Sequence, residues 1–195
     1  WQFDKTYIGA ELIDHDLLLL YGHQLGEAIL YELSSGKEYK KLQTGLGVTN
    51  AYYDKTSEKL FITNSETNEL VSYSKKGEVL QTAKLGNYPM SMVAYEDKLY
   101  VINYKDTTLA VVSTNDLAIL DSWTIAKSSH GILVEPEFGR LWIGGHGQGS
   151  SPNQTVDFYD LSSGELMKEV SMPMMPVGFA KGANEVAVVS HGSNM

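Results

Sequence analysis

The sequence predicts an all-β fold of four-stranded antiparallel blades, a β-propeller. Three observations predict it. One short apolar motif recurs about every 42 residues: Leu60-Phe-Ile-Thr-Asn64, Leu99-Tyr-Val-Ile-Asn103 and Leu141-Trp-Ile-Gly-Gly145. Weaker copies flank these, Leu18-Leu-Leu-Tyr-Gly22 and Val186-Ala-Val-Val-Ser190, so the first residues lie 42, 39, 42 and 45 apart. Each period holds several short strand-like runs, which is the mark of a radial sheet array. Helical periodicity is absent throughout.

The unit from 90 to 129 shows the order of elements. Met92–Tyr95 is a short apolar strand and Glu96-Asp-Lys98 a polar turn. Leu99–Asn103 is rich in strand formers and is followed by a polar loop. Leu109–Val112 is the third strand, and Ile119–Ile125 alternates as an exposed outer strand should. Third strands recur at Ala28–Tyr31, Leu70–Tyr73 and Val156–Tyr159. Their closing turns carry Gly36, Gly77 and Gly164, where a hairpin wants positive φ. The two inner strands are nearly all apolar, as burial between neighbouring blades requires.

One domain over 1–195 is therefore expected. It comprises an outer strand of a preceding blade (1–8), four blades (9–49, 50–89, 90–129 and 130–176) and the first two strands of a further blade (177–195). About four and a half blades are present. An open sheet edge invites aggregation. The expectation is thus a larger ring of about seven blades, in preference to a closed ring of five. The chain starts at Trp1 and not at Met, which leaves room for a leader or anchor ahead of it.

Gly86-Asn-Tyr-Pro89 with Leu99-Tyr-Val-Ile-Asn103, and Val156-Asp-Phe-Tyr-Asp160 with Ser-Ser-Gly-Glu165, resemble the YVTN family of β-propeller repeats. The resemblance covers essentially the whole chain. Gly144-Gly145 and Gly22 depart from the pattern. The resemblance implies a bacterial, extracytoplasmic or cell-surface protein, most members being non-catalytic or of unknown role.

Composition narrows the function classes. The 195 residues are 43% hydrophobic and 20% charged, enough to bury a core. A formal charge of −9 argues against nucleic acid and against anionic lipid as partners. No apolar run approaches the roughly 18 residues of a membrane span, so no direct membrane insertion is expected. Cysteine is absent, which removes disulfides, thiolate metal sites and Cys-x-x-Cys-His haem attachment. Arg140 is the only arginine, so a bidentate guanidinium clamp is hard to build.

Chemistry is expected where the loop after the second strand and the start of the first strand share a face. His23, His146 and His191 each lie five residues after the first position of their motif; Ser65 and Tyr104 fill that phase elsewhere. His130 opens the first strand of its blade. The candidate ligand-binding residues are His23, Tyr88, Tyr104, His130, His146, Gln148 and His191. Imidazoles on one rim can bind a borderline metal or act as acid or base. If a metal binds, its ligands are His130, His146 and His191. A simpler reading is that repeats inherit a capping residue. Tyr88 and Tyr104 suit stacking on sugars, rings or peptides. The glycine-rich insertion 144–153 carries Gln148, lacks the Lys-Ser/Thr of a phosphate loop, and is a ligand-loop candidate. His15, in Asp14-His-Asp16, reads as a solvated turn on the opposite face.

No catalytic residue is assigned, because no carboxylate dyad and no Gly-x-Ser-x-Gly elbow is present. The expected function is a non-catalytic extracytoplasmic scaffold, secreted, periplasmic or lipid-anchored as a lipoprotein. It binds a protein, peptide or glycan at the channel mouth and needs no cofactor. The alternative is a histidine-dependent lyase or lactonase-like enzyme on the same rim, with a divalent metal as cofactor.

Overall fold

Four successive β-meanders and a following β-hairpin make up the structure, a computed structural model that describes residues 3–183 and 185–192. Blade one holds β1 (Gly9–Leu12), β2 (Leu17–Tyr21), β3 (Ala28–Glu32) and β4 (Lys37–Leu42). Blade two holds β5 (Val48–Asp54), β6 (Lys59–Asn64), β7 (Glu69–Ser74) and β8 (Val79–Lys84). Blade three holds β9 (Pro89–Tyr95), β10 (Lys98–Asn103), β11 (Thr108–Ser113) and β12 (Ile119–Thr124). Blade four opens with β13 (Ser129–Glu135), a 3-10 turn at Pro136–Phe138 and β14 (Arg140–Gly145). A small hairpin follows, β15 (Gly147–Gln148) and β16 (Ser151–Pro152), and then β17 (Thr155–Asp160) and β18 (Leu166–Ser171). β19 (Pro176–Lys181) and β20 (Val186–Ser190) form a two-stranded sheet. Within each of the first four blades the strands pair antiparallel in sequence order, apart from the hairpin inserted between β14 and β17.

Residues 3–8, expected as an outer strand, carry none; residues 1 and 2 lie outside the described residues. Phe3 packs edge-on against Tyr7 and Tyr31, and Ile8 N–H donates to Tyr21 O. The stretch is held by rings on blade one and by one ladder bond, not as a paired edge. The first strands begin at 48, 89, 129 and 176, one or two residues ahead of the expected borders. The cause is a tight turn with positive φ just before each: Gly47, Tyr88, Ser128 and Met175.

The chain divides into two compact units. Unit one is Trp1–Met90 with Asn115–Ala118; unit two is Ser91–Thr114 with Ile119–Met195. In unit one, Leu19 and Leu30 of blade one pack with Leu60, Ile62 and Tyr73 of blade two. In unit two, Tyr100, Leu109 and Trp123 of blade three pack with Leu141, Ile143 and Tyr159 of blade four. Trp142 points the other way, as strand alternation dictates, and packs with Phe158 and Phe179 toward blade five. Burying a Leu, Ile or Phe in such a core is worth about 1.5–3 kcal/mol each.

Two details position the loops. The turns at Gly36, Gly77 and Gly164 have φ near +70°, at 66, 73 and 72. In blade three Leu117 takes this role with φ 58 and is 3% exposed. The second detail explains Gly144-Gly145: a Cβ on Gly145 would lie 2.2 Å from Ser128 O at the start of the same blade. A Cβ on Gly144 would lie 2.4 Å from Pro176 O, so β14 and β19 approach too closely for any side chain.

At the other end of blade four, Glu135 is 7% exposed and accepts from Arg140 Nε at 2.5 Å and Trp142 Nε1 at 2.7 Å. The guanidinium stacks over Phe158 and Phe138, at 4.5 and 4.8 Å.

Gly144→Ala is expected to destabilise the protein by about 1–3 kcal/mol through overpacking against backbone. That corresponds to a fall of ~2–4 °C in Tm per kcal/mol. Gly26→Ala, in open space, is the control and leaves Tm unchanged or slightly raised. Glu135→Ala leaves Arg140 and Trp142 without their acceptor and is expected to cost about 3–5 kcal/mol in urea unfolding. Glu135→Gln, which keeps an acceptor, costs less.

Candidate functional site

One backbone bond recurs at the end of the second strand. The residue after it donates its N–H to the carbonyl of the left-handed residue preceding the same blade's first strand. Ser65 donates to Gly47 at 2.8 Å, His146 to Ser128 at 3.2 Å and His191 to Met175 at 2.9 Å. This bond fixes the phase that the sequence displays. Since backbone makes it, the side chains at 65, 146 and 191 are not needed for capping.

His130 is brought to the same place by a β-bulge. Ser129 pairs with Gly145 and Gly131 with Gly144, so His130 is the extra residue. Bulges re-aim a side chain. The same irregularity recurs at Thr49 and Val177. Thr49 Oγ1 uses it to donate to Pro89 O at 2.6 Å.

In unit two the result is a run of three imidazoles. His130 and His146 lie 4.5 Å apart by ring centroids, tilted by 32°. His146 and His191 lie 5.5 Å apart, edge to face at 61°. The run goes from half-buried His130 and His146 to exposed His191. His130 Nε2 is sealed from solvent and has no hydrogen-bond partner. Burial, reinforced by the charges of His146 and His191, lowers the His130 pKa to about 4. A belt of backbone bonds holds the loops: His146 O accepts from Asn153 N–H, and Asn153 O from Met175 N–H.

In unit one, His23 meets Ser65 and Tyr88. His23 Nε2 is 3.1 Å from Ser65 Oγ and 3.4 Å from Tyr88 Oη. Ser65 Oγ also donates to Gly47 O at 3.1 Å, and Ser65 is 6% exposed. A serine so buried and so tied to a carbonyl is a cross-link and a poor nucleophile. Tyr88 holds φ 59, steadied by its N–H donating to Asn68 Oδ1 at 2.9 Å.

The predicted residues thus form two groups, His130, His146 and His191 in unit two, and His23 with Tyr88 in unit one. Tyr104 lies half-buried at the end of β10, and Gln148 is exposed on the β15–β16 hairpin. Sequence reasoning missed Ser65 as a partner of His23, although its phase marked it. It missed the bulge at His130, which has no residue signature. Among the described residues, no group of three or more His, Cys, Asp or Glu is arranged to hold a metal ion. The three imidazoles meet by their rings, and their nitrogens do not form such a set.

Two solved structures share this fold. Kuenenia stuttgartiensis hydrazine synthase matches with a TM-score of 0.77 at 14% identity, over 88% of this chain and 50% of that one. The WD40 β-propeller domain of Doa1 matches with a TM-score of 0.76 at 12% identity, over 97% of this chain and 62% of that one. The fold is a β-propeller. The chain spans about half to three-fifths the length of these two structures. No family model and no curated protein matches it in sequence. At these identities the likeness establishes the fold and no activity. No helix among the described residues is long and apolar enough to cross a membrane.

The lowered pKa of His130 has a consequence for stability. The unfolded imidazole takes up a proton near the ordinary 6.5, whereas the folded one resists until about 4. Stability is full above the first value, falls as pH drops between the two, and levels off below the second. The loss is at most ~3 kcal/mol. Urea midpoints across this window are expected to fall in the parent and to stay flatter in His130→Phe. An equal slope in the two proteins would assign the loss to other groups.

Proposed function

We propose that the protein is a non-catalytic binding scaffold that works outside the cytoplasm. Its ligand is a protein, peptide or glycan held at the imidazole run of unit two. The observation that carries this reading is the run itself. Three aromatic, polar rings are in successive contact at loop ends, where backbone bonds already close the blade. Such surfaces offer ring faces for stacking and ring nitrogens for hydrogen bonds.

The arrangement favours binding over acid–base catalysis. A catalytic imidazole is normally oriented by a carboxylate or backbone acceptor and placed beside a nucleophile. Among the described residues, the side chains of His130, His146 and His191 contact one another and no carboxylate. The absence of cysteine, the net charge of −9 and the likeness of the repeat to YVTN-type propellers support a bacterial, extracytoplasmic site of action. Attachment through a lipid anchor, release, or residence in the periplasm all suit that reading.

The test follows the imidazole signals in two-dimensional NMR while peptide and glycan panels are added. Saturable shifts at His146 and His191, lost in His146→Ala, are expected. Thermal unfolding with zinc, copper, nickel and chelator is the companion measurement. A metal that binds only the folded state must raise Tm by mass action. No metal-specific rise is expected; a rise that His146→Ala abolishes would replace this reading with the metal-dependent enzyme.

A further inference from the structure

A groove of unit one shares no residue with the imidazole run and is independent of its role. The turn Asp14–Asp16, the end of β3, the bulge of β4 and the β7–β8 turn border an open groove of about 460 Å³. That lies in the range of small-molecule sites, ~300–1,000 Å³.

The walls are fixed by bonds of their own. Asp14 Oδ1 accepts from the N–H groups of Asp16 and Leu17, at 2.9 and 2.8 Å. Its Oδ2 accepts from Lys75 Nζ of the next blade at 2.6 Å. Asp16 caps Ser34, accepting from its N–H at 2.6 Å and its Oγ at 2.8 Å. Lys40 Nζ donates to Lys76 O at 2.9 Å. The Asp-His-Asp turn is therefore a rigid wall, with its two carboxylates committed.

What remains free lines the groove. The side chains of His15, Glu32, Tyr39 and Lys76 have no hydrogen-bond or ion-pair partner among the described residues. Tyr39 is the extra residue of a bulge: Leu30 pairs with Lys40 and Tyr31 with Glu38. The bulge leaves the ring 55% exposed. The same bulge recurs in three other blades, where it presents Leu80, Leu120 and Met167. Blade one alone puts an aromatic ring there. In blade two the corresponding groove is about 340 Å³ and has Leu80 in the place of Tyr39.

Charge narrows the ligand class. The lining holds three carboxylates, Asp14, Asp16 and Glu32, against the two ammonium groups of Lys75 and Lys76; Asp14 pairs with Lys75, and both oxygens of Asp16 are taken by Ser34. An anionic ligand meets net repulsion, and a cationic one finds a single excess charge whose oxygens are already bonded. The groove does offer a flat ring, an acceptor and two donors, which is what a polyhydroxylated ring needs. We infer that the groove of blade one binds a neutral saccharide, stacked on Tyr39 and hydrogen-bonded by Glu32, Lys76 and His15. The ring face of Tyr39 meets the C–H face of the sugar. Glu32 accepts from sugar hydroxyls, and Lys76 and His15 donate to hydroxyl oxygens.

The test is a titration of the full chain by ¹H–¹⁵N NMR. The probes are methyl glucoside, methyl galactoside, methyl mannoside, maltose and cellobiose. Saturable shifts confined to Asp14–Leu17, Glu32, Tyr39, Lys75 and Lys76 are expected for at least one. Tyr39→Ala is expected to weaken that probe about tenfold or more, the equivalent of ~1.4 kcal/mol. Tyr39→Phe keeps the ring and the binding, and Glu32→Gln weakens it. An unchanged Tm in Tyr39→Ala separates lost contact from lost folding. The inference is overturned if none of the five probes gives saturable shifts there. It is equally overturned if Tyr39→Ala binds as the parent does, or if glucosamine or glucuronate binds more tightly than the neutral glucoside.

Discussion

In blades two, four and five, the bond from the residue after the second strand back to the left-handed residue before the first organises the inner blade end. It forces a positive φ at Gly47, Ser128 and Met175, of which only one is glycine. An L-residue in that region costs energy, and the cost is met because the surrounding sheet leaves no alternative. The same closure places the next residue of the second strand's loop at a constant position. Hence the histidines keep phase although the loops behind them differ in length. The Gly147–Pro152 hairpin inserts immediately after His146, and the belt through Asn153 and Met175 absorbs it.

Packing between blades then depends on strand alternation and on a few omitted side chains. β14 sends Leu141 and Ile143 to one core and Trp142 to the other. Such a strand holds two blades at once, so stability is shared between neighbours, as in other repeat architectures. Where blade five approaches blade four, Gly131 and Gly144 clear the way for backbone. Trp142 is large enough to reach across the gap, and Glu135 satisfies its indole N–H together with Arg140. The one arginine of the chain is thereby committed to structure.

Much of this was legible in the sequence. The apolar motifs at 60, 99 and 141 lie on the second strands, and Gly36, Gly77 and Gly164 hold the turns that positive φ demands. The phase of His146 and His191 was visible because a backbone bond fixes it. The bulges that aim His130 and Tyr39 were not visible. They arise from how two strands share curvature, and no residue type announces them. Residues 3–8 misled because Phe3, Tyr7 and Ile8 look like strand residues, yet Phe3 and Tyr7 are used for ring contacts. The glycine pair at 144 read as a departure from the repeat; Gly144 makes room for the next blade, and Gly145 for the backbone of Ser128 and Ser129.

His130 carries the sharpest question of cost. A polar nitrogen buried without a partner is unfavourable by about 1–3 kcal/mol, and an apolar ring of similar shape would avoid that. Capping does not require imidazole there, since the bulge is a backbone feature that Thr49 and Val177 also occupy. Packing does not require it either, since Phe would stack on His146 as well. What imidazole adds at 130, 146 and 191 is a continuous polar aromatic surface whose outermost ring is exposed. A feature that stability alone disfavours, placed where the backbone leaves side chains free, is best understood as selected for what it contacts. That reasoning supports the proposal of a ligand at this run in preference to the glycine hairpin beside it. Gln148 stands exposed on the hairpin, and nothing in its surroundings carries a comparable cost.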